Sequence, residues 1–202
     1  MFKMRPAKEQ ANIKSPVSRE AAEEAVRTIL RYIGEDVNRP GLADTPGRVV
    51  RAWEEWCAGY KEDPEATLNT TFEDIQNYDQ PIIMRDIDFI SHCEHHMAPM
   101  PGKTHIAYWP SDKIVGISKL ARIVDVFALR LQSQENLTRE IAEAIDRALK
   151  PKGVAVAVEA AHGCMTTRGA YKPGAMLLTR TFTGCFESDR ALQEQILSAL
   201  KS

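Results

Sequence analysis

Apolar residues first fall into a helical rhythm at Ala22, Ala25, Val26, Ile29, Leu30 and Ile33, all on one face. Ser18 stands ahead of them as an N-cap, and Gly34 behind them ends the helix. After a polar connection over 38–44, a second helix is predicted with Thr45 at its cap and Pro46 in its first turn. Its apolar stripe is Val49, Val50, Trp53, Trp56 and Cys57. From about residue 80 the period shortens. Ile83, Ile87 and Phe89 alternate with Arg85, Asp86 and Asp88, which predicts a strand ending near Cys93. A second strand follows over 103–109, closed by the turn Pro110-Ser111-Asp112. Ser118 then caps a helix with the stripe Leu120, Ile123, Val124, Phe127 and Leu131. A further helix carries Leu137, Ile141, Ile145 and Leu149 and stops at Pro151-Lys152-Gly153. Residues 153–164 read as a valine-rich strand, 175–186 as another, and 189–200 as a final amphipathic helix.

The order from residue 80 is therefore strand, strand, helix, helix, strand, strand. Paired strands at both ends with helices between them predict an α+β fold, an antiparallel sheet with helices on one face. Residues 80–202 form this domain, 18–79 a helical extension, and 1–17, without apolar periodicity and with two prolines, a mobile arm. Such a sheet leaves its outer strands as bare edges, and closing several copies into a barrel would cover them.

Composition narrows the class. Of 202 residues, 44% are hydrophobic and 27% charged, which suits a soluble globular domain. The net charge of −2 argues against a nucleic-acid binder, and the longest apolar runs are too short to cross a membrane. With no signal-like apolar run near the start and four cysteines, the expected compartment is a reducing cytoplasm. There, cysteines near histidines are read first as metal ligands.

Four groups of residues carry candidate chemistry. In Ser91-His92-Cys93-Glu94-His95-His96, a thiolate and an imidazole spaced C-x-x-H reach one ion from a single turn. His162-Gly163-Cys164 closes the valine strand, and in a strand residues 162 and 164 point the same way. If the two strand ends meet, Cys93, His96 and Cys164 leave a fourth zinc position open, the catalytic form of such a site. His95 and His162 then stand beside the metal as acid–base groups. A closed site using His95 as fourth ligand, or a disulfide, are the alternatives. Third, Lys119 and Arg122 share the first turn of a helix, as do Arg48 and Arg51, and both pairs oppose the helix dipole. A phosphate seated among them, with Arg168 nearby, would make sense of that placement. Fourth, Gln132-Ser133-Gln134-Glu135 opens a helix; spacing alone favours capping, although a carboxylate beside an amide also fits a guanine edge.

In this order the four groups resemble GTP cyclohydrolase I of the zinc-dependent type. The resemblance rests on Cys93-Glu94-His95-His96, the run from Gly116 to Arg122, the run from Leu131 to Thr138, and His162-Gly163-Cys164-Met165 with Arg168-Gly169. Gly41-Leu42-Ala43-Asp44-Thr45-Pro46 with Arg48 matches upstream, so the likeness spans about 20–200. It implies the tunnelling fold and a toroidal homodecamer of two stacked pentamers, with some site residues supplied by neighbouring subunits. It implies that Cys93, His96 and Cys164 hold Zn2+ and that His95 and His162 transfer protons. Gln134 and Glu135 would bind guanine, and Ser118, Lys119, Arg122, Arg168, Arg48 and Arg51 would surround the triphosphate. The implied reaction converts GTP to 7,8-dihydroneopterin triphosphate and formate, the first step of pterin and tetrahydrofolate synthesis. No phosphate-cleaving Gly-x-x-x-x-Gly-Lys-Ser/Thr loop is present.

Two positions depart from the family pattern. Arg180 stands where a small hydroxyl residue is usual, and Thr166 where some members carry lysine. By strand parity Arg180 faces away from Thr179 and Thr181, so an altered sheet face or subunit contact is expected. Rival readings are another tunnelling-fold activity on a pterin or deazapurine, and a zinc-stabilised purine-nucleotide sensor without turnover.

Overall fold

The computed structural model describes residues 16–72 and 78–201. The expected arm lies almost wholly outside the described residues. Helix α1 (Arg19–Tyr32) begins where Ser18 accepts a hydrogen bond from the Ala21 amide. It ends at Gly34, whose φ of +88° suits a residue without Cβ, with the Glu35 amide turned back to Leu30 O. Helix α2 (Thr45–Trp56) starts one residue earlier than the Thr45 cap implied: Asp44 is the boundary residue and makes no side-chain cap bond. A 3₁₀ turn (Ala58–Lys61) and a short helix α3 (Pro64–Leu68) follow, and no sequence periodicity announced them.

The sheet strands are β2 (Ile82–Cys93), β3 (Pro99–Trp109), β5 (Leu131–Gln132), β6 (Gly153–Ala160) and β7 (Leu177–Gly184), in the order β5-β2-β3-β6-β7. The four long strands pair antiparallel, as expected. The two-residue β5 lies parallel to the end of β2, placing Gln132 opposite Cys93. Strands β1 (Thr71–Phe72) and β4 (Ile114–Val115) form a separate small ribbon. Strand β3 begins four residues before the expected start and contains Pro99 and Pro101 opposite His92 and Ile90. Proline lacks the ladder donor and is rare in a central strand.

The main core lies between one sheet face and helices α4 (Ile117–Ala128) and α5 (Gln134–Leu149). Ile106, Val154, Val156 and Val158 from the sheet meet Ile123, Phe127, Leu137, Ile141 and Ile145, all nearly inaccessible to solvent. Ser118 does not cap α4: Gly116 is its boundary residue, because the β4 ribbon delivers the chain to that point and Gly116 N bonds Thr70 O. Helices also occupy the opposite face. Phe186 of α7 (Cys185–Ser188) and Ile196 and Leu200 of α8 (Arg190–Lys201) cover Ala107, Ala155 and Ala157, whose small side chains allow close approach. Helices on one face alone are thus corrected to helices on both.

Arg180 falls on that second face, beside a depression of about 250 Å³ lined also by Asp86, Lys103, His105 and Glu159. Ala157 sits across from Arg180 on β6 and His105 across from Ala157 on β3, so the small residue leaves the hollow. Asp86 borders it from a bulge in β2, with φ +56° and its carboxylate 3.1 Å from Lys103 Nζ. Parity therefore placed Arg180 correctly, away from Thr179. No helix among the described residues is long and apolar enough to cross a membrane.

Candidate metal and acid–base site

The β2–β3 connection is the first half of the site. Met97 N donates to Cys93 O at 2.7 Å and Cys93 N to Ala98 O at 2.9 Å, with Met97 in the left-handed region at φ +55°. This single turn sets Cys93 and His96, three residues apart, on the same side. Glu94 N bonds Gln132 O at 3.0 Å, so β5 braces the turn from outside. Cys93 is buried at the strand end, whereas His95 and His96 stand exposed.

The second half arrives in a different form from that expected. β6 ends at Ala160, and Gly163–Thr166 forms a helical turn, α6, with His162 as its boundary residue. Residues 162 and 164 therefore do not share a strand face. They reach the site because the main chain of Gly163 presses against β3: a Cβ there would lie 2.8 Å from Pro99 O. Glycine at 163 is a packing requirement that spacing did not reveal.

The two halves meet. One ligand atom from each of Cys93, His96 and Cys164 lies within 4.8 Å of the other two. Two sulfurs and an imidazole nitrogen at such spacing suit zinc, which takes Cys and His ligands in a tetrahedron. The Cys164 thiol is held above its ordinary pKa, first by burial and then by the adjoining Cys93 sulfur. A divalent cation held by Cys93 and Cys164 would offset both effects, because it would stabilise the thiolates. His95 Nδ1 lies 3.8 Å from Cys93 Sγ, and its Nε2 lies 3.8 Å from the Glu94 carboxylate.

His162, the boundary residue of α6, has its Nε2 2.9 Å from Oε1 of Gln134. Gln134 is the first residue of α5, whose boundary residue Ser133 accepts from the Asn136 amide, so the capping account holds. The Gln134 side chain is wholly buried and bonded inside the protein, whereas Glu135 faces solvent. Thr138 and Thr179 hold Gln134 in place, a role that no motif marked.

Lys119 and Arg122 of α4, with Ser118 exposed beside them, border a cavity of about 350 Å³ that also includes Glu62, Thr67 and Asp125. None of the metal-site residues lines it. Arg48 and Arg51 are exposed on α2, Arg48 paired with Asp44 at 3.3 Å, and Arg168 is exposed just past α6. Within one chain Lys119 and Arg122 thus line a different cavity from the Cys93, His96 and Cys164 cluster, whereas Arg168 is near enough to Cys164 to favour its thiolate.

Sequence reasoning also passed over His92. This buried imidazole is stacked on Trp56 at 4.5 Å and lies against Trp53 at 5.2 Å, which ties α2 to the metal strand. Burial holds it below the usual histidine pKa.

The distances carry a redox expectation. Stripped of metal and exposed to a thiol oxidant, Cys93 and Cys164 should lose two protons and two electrons together and join as a disulfide. Alkylation followed by mass spectrometry should then find Cys57 and Cys185 modified and the other pair protected. Free alkylation of all four would show the sulfurs to be apart.

Comparison with known proteins gives the same picture over nearly the whole chain. The GTP cyclohydrolase I family profile matches residues 22–201. "GTP cyclohydrolase 1" of Maricaulis maris is 51% identical over 191 residues, 95% of this chain and 93% of that one. The Bartonella henselae protein of the same name is 51% identical over 90% of this chain and 88% of its own length. That of Brucella suis is 50% identical over 90% and 85%. With a match of this extent laid over a Cys-His-Cys cluster and an adjoining histidine, the chain belongs to the GTP cyclohydrolase I family.

Proposed function

We propose that this chain hydrolyses and rearranges GTP to 7,8-dihydroneopterin triphosphate and formate, opening pterin and tetrahydrofolate synthesis in the cytoplasm. The observation that carries the reading is the convergence of Cys93, His96 and Cys164 beside His162 in a chain of this family. Zinc held by those three residues supplies a Lewis acid and an acidified water at neutral pH.

The remaining work falls to the chain's own groups. His162 protonates the purine ring nitrogen next to C8 as the imidazole ring opens, and a second hydrolysis frees formate. His95 and Ser118 serve the later opening and rearrangement of the ribose. Glu135, exposed in the first turn of α5, accepts the guanine N–H groups with a carboxylate, which only accepts when ionised. Ser118, Lys119, Arg122, Arg168, Arg48 and Arg51 hold the triphosphate, which is anchored and not cleaved.

The separation of the basic cavity from the metal cluster within one chain supports an assembly in which neighbouring copies complete each site. The outer edge of β7 and most of that of β2 carry no strand partner among the described residues, as a tunnelling-fold barrel closed through several subunits requires. A toroidal homodecamer of two pentamers is the form we assign.

Purified zinc-loaded protein mixed with GTP should release formate as pterin fluorescence rises, one for one. Zinc and GTP bound without formate would establish the nucleotide-sensor alternative instead.

A further inference from the structure

The hydrogen bonds around Gln134 have only one consistent direction. Its side chain has no solvent exposure, and its two polar atoms face different partners. Nε2 lies 3.0 Å from Val158 O, 3.0 Å from Leu177 O and 3.1 Å from Thr179 Oγ1. Oε1 lies 2.9 Å from His162 Nε2. Turning the amide over would press its carbonyl oxygen against two main-chain carbonyl oxygens in a buried site, where an unpaired acceptor is costly. The surroundings therefore decide which end is which.

The neighbouring hydroxyls agree. Thr138 donates its one hydroxyl proton to Gln134 O at 2.7 Å. In the 2.6 Å contact between Thr138 and Thr179 the proton must then come from Thr179, which keeps a lone pair for the Gln134 amide. The chain of donors runs from Gln134 to Thr179 to Thr138 and back to the Gln134 main-chain carbonyl, and the two Nε2 hydrogens are shared among Val158 O, Leu177 O and Thr179 Oγ1. A carbonyl oxygen only accepts, so the atom facing Oε1 must donate: His162 Nε2 carries the hydrogen. The neutral ring is the Nε2–H tautomer, and its lone pair is on Nδ1.

We propose that Gln134 is a positioning residue that holds His162 in this tautomer, so that His162 exchanges its proton with the substrate through Nδ1. This rests on the assignment of proton transfer to His162. On gaining a proton at Nδ1 the ring becomes an imidazolium with its Nε2–H still anchored to Gln134. Giving that proton up returns the same tautomer, and the ring need not turn between steps. Recognition of a base by the Gln134 side chain is displaced, because its amide hydrogens and its carbonyl oxygen are already engaged inside the protein.

Gln134→Met keeps the volume and removes both donor and acceptor. We expect kcat for formate release to fall about 10–100-fold, as loss of an orienting partner does elsewhere. KM for GTP should stay within about twofold, since no ground-state contact is lost, and zinc content should be unchanged. Thr179→Val should shift kcat in the same direction by less, and Thr179→Ser should restore it. A base-binding side chain predicts instead a raised KM and lost discrimination between GTP and inosine triphosphate, with kcat kept, and that result overturns the proposal. Independently of any variant fold, solid-state NMR of the wild-type zinc protein labelled with 15N-histidine should show His162 protonated at Nε2 and bare at Nδ1 in its neutral form. The His162 signal is identified by its loss in His162→Ala. A neutral His162 protonated at Nδ1 overturns the proposal. Absence of formate from the wild-type protein would sink the functional reading and leave the spectroscopic test standing.

Discussion

Cys164→Ala should lose both its zinc and its reaction: metal analysis near zero per chain, and formate release down by well over the ~100-fold that an outer-sphere change costs. Two protein ligands would remain, Cys93 at a strand end and His96 on an exposed turn, and a structural or catalytic zinc site needs at least three. The fold should survive. Cys164 is only half-buried in the four-residue turn α6, outside both hydrophobic cores. Circular dichroism and sedimentation of the variant should therefore match the parent, which separates loss of the ion from loss of structure. Retention of one zinc per chain with full turnover would remove Cys164 from the metal site.

His162→Ala should separate binding from chemistry. Its imidazole is not one of the three clustered ligands, so the variant should hold zinc at the parent's level. Formate release should nevertheless fall about 10²–10⁴-fold, the usual contribution of a positioned acid–base group. The same variant leaves Gln134 Oε1 buried without its donor, so a modest loss of thermal stability should accompany the kinetic one. Turnover within a few-fold of the parent would show that ring opening draws its proton from elsewhere.

Much of this was legible in the residues. The four long strands and the helices between them followed from periodicity, because each buries one face and the apolar positions repeat accordingly. The Cys93, His96 and Cys164 cluster was legible for another reason: thiolates and imidazoles at coordination spacing have few structural roles that require them together. What escaped was set by tertiary contact. Pro99 and Pro101 hid the beginning of β3, since the donors they lack are an argument against a central strand. The expected strand runs on to Cys164 and so misses the turn that begins at Gly163, because the approach of Gly163 to Pro99 is a long-range event. The resemblance implies a base for Gln134 and Glu135 alike, and only burial shows that Gln134 is enclosed where Glu135 faces solvent. Helix α8 looked like any amphipathic helix, and which sheet face it would cover depended on the alanines at 107, 155 and 157.

The prolines of β3 have a consequence for how the molecule opens. Pro101 turns its carbonyl toward the chain after β6, where it accepts from Ala161 N at 3.0 Å, so the donor it lacks is missing from the β6 side of the central strand, at the end of the sheet from which Cys93 projects. An ion bound there clamps the end of β2 to the turn after β6, spanning the very strand whose ladder is thinned. Amide exchange should be quickest at that corner in metal-free protein and slow sharply once it is loaded, so reactive centre and weakest seam are the same place.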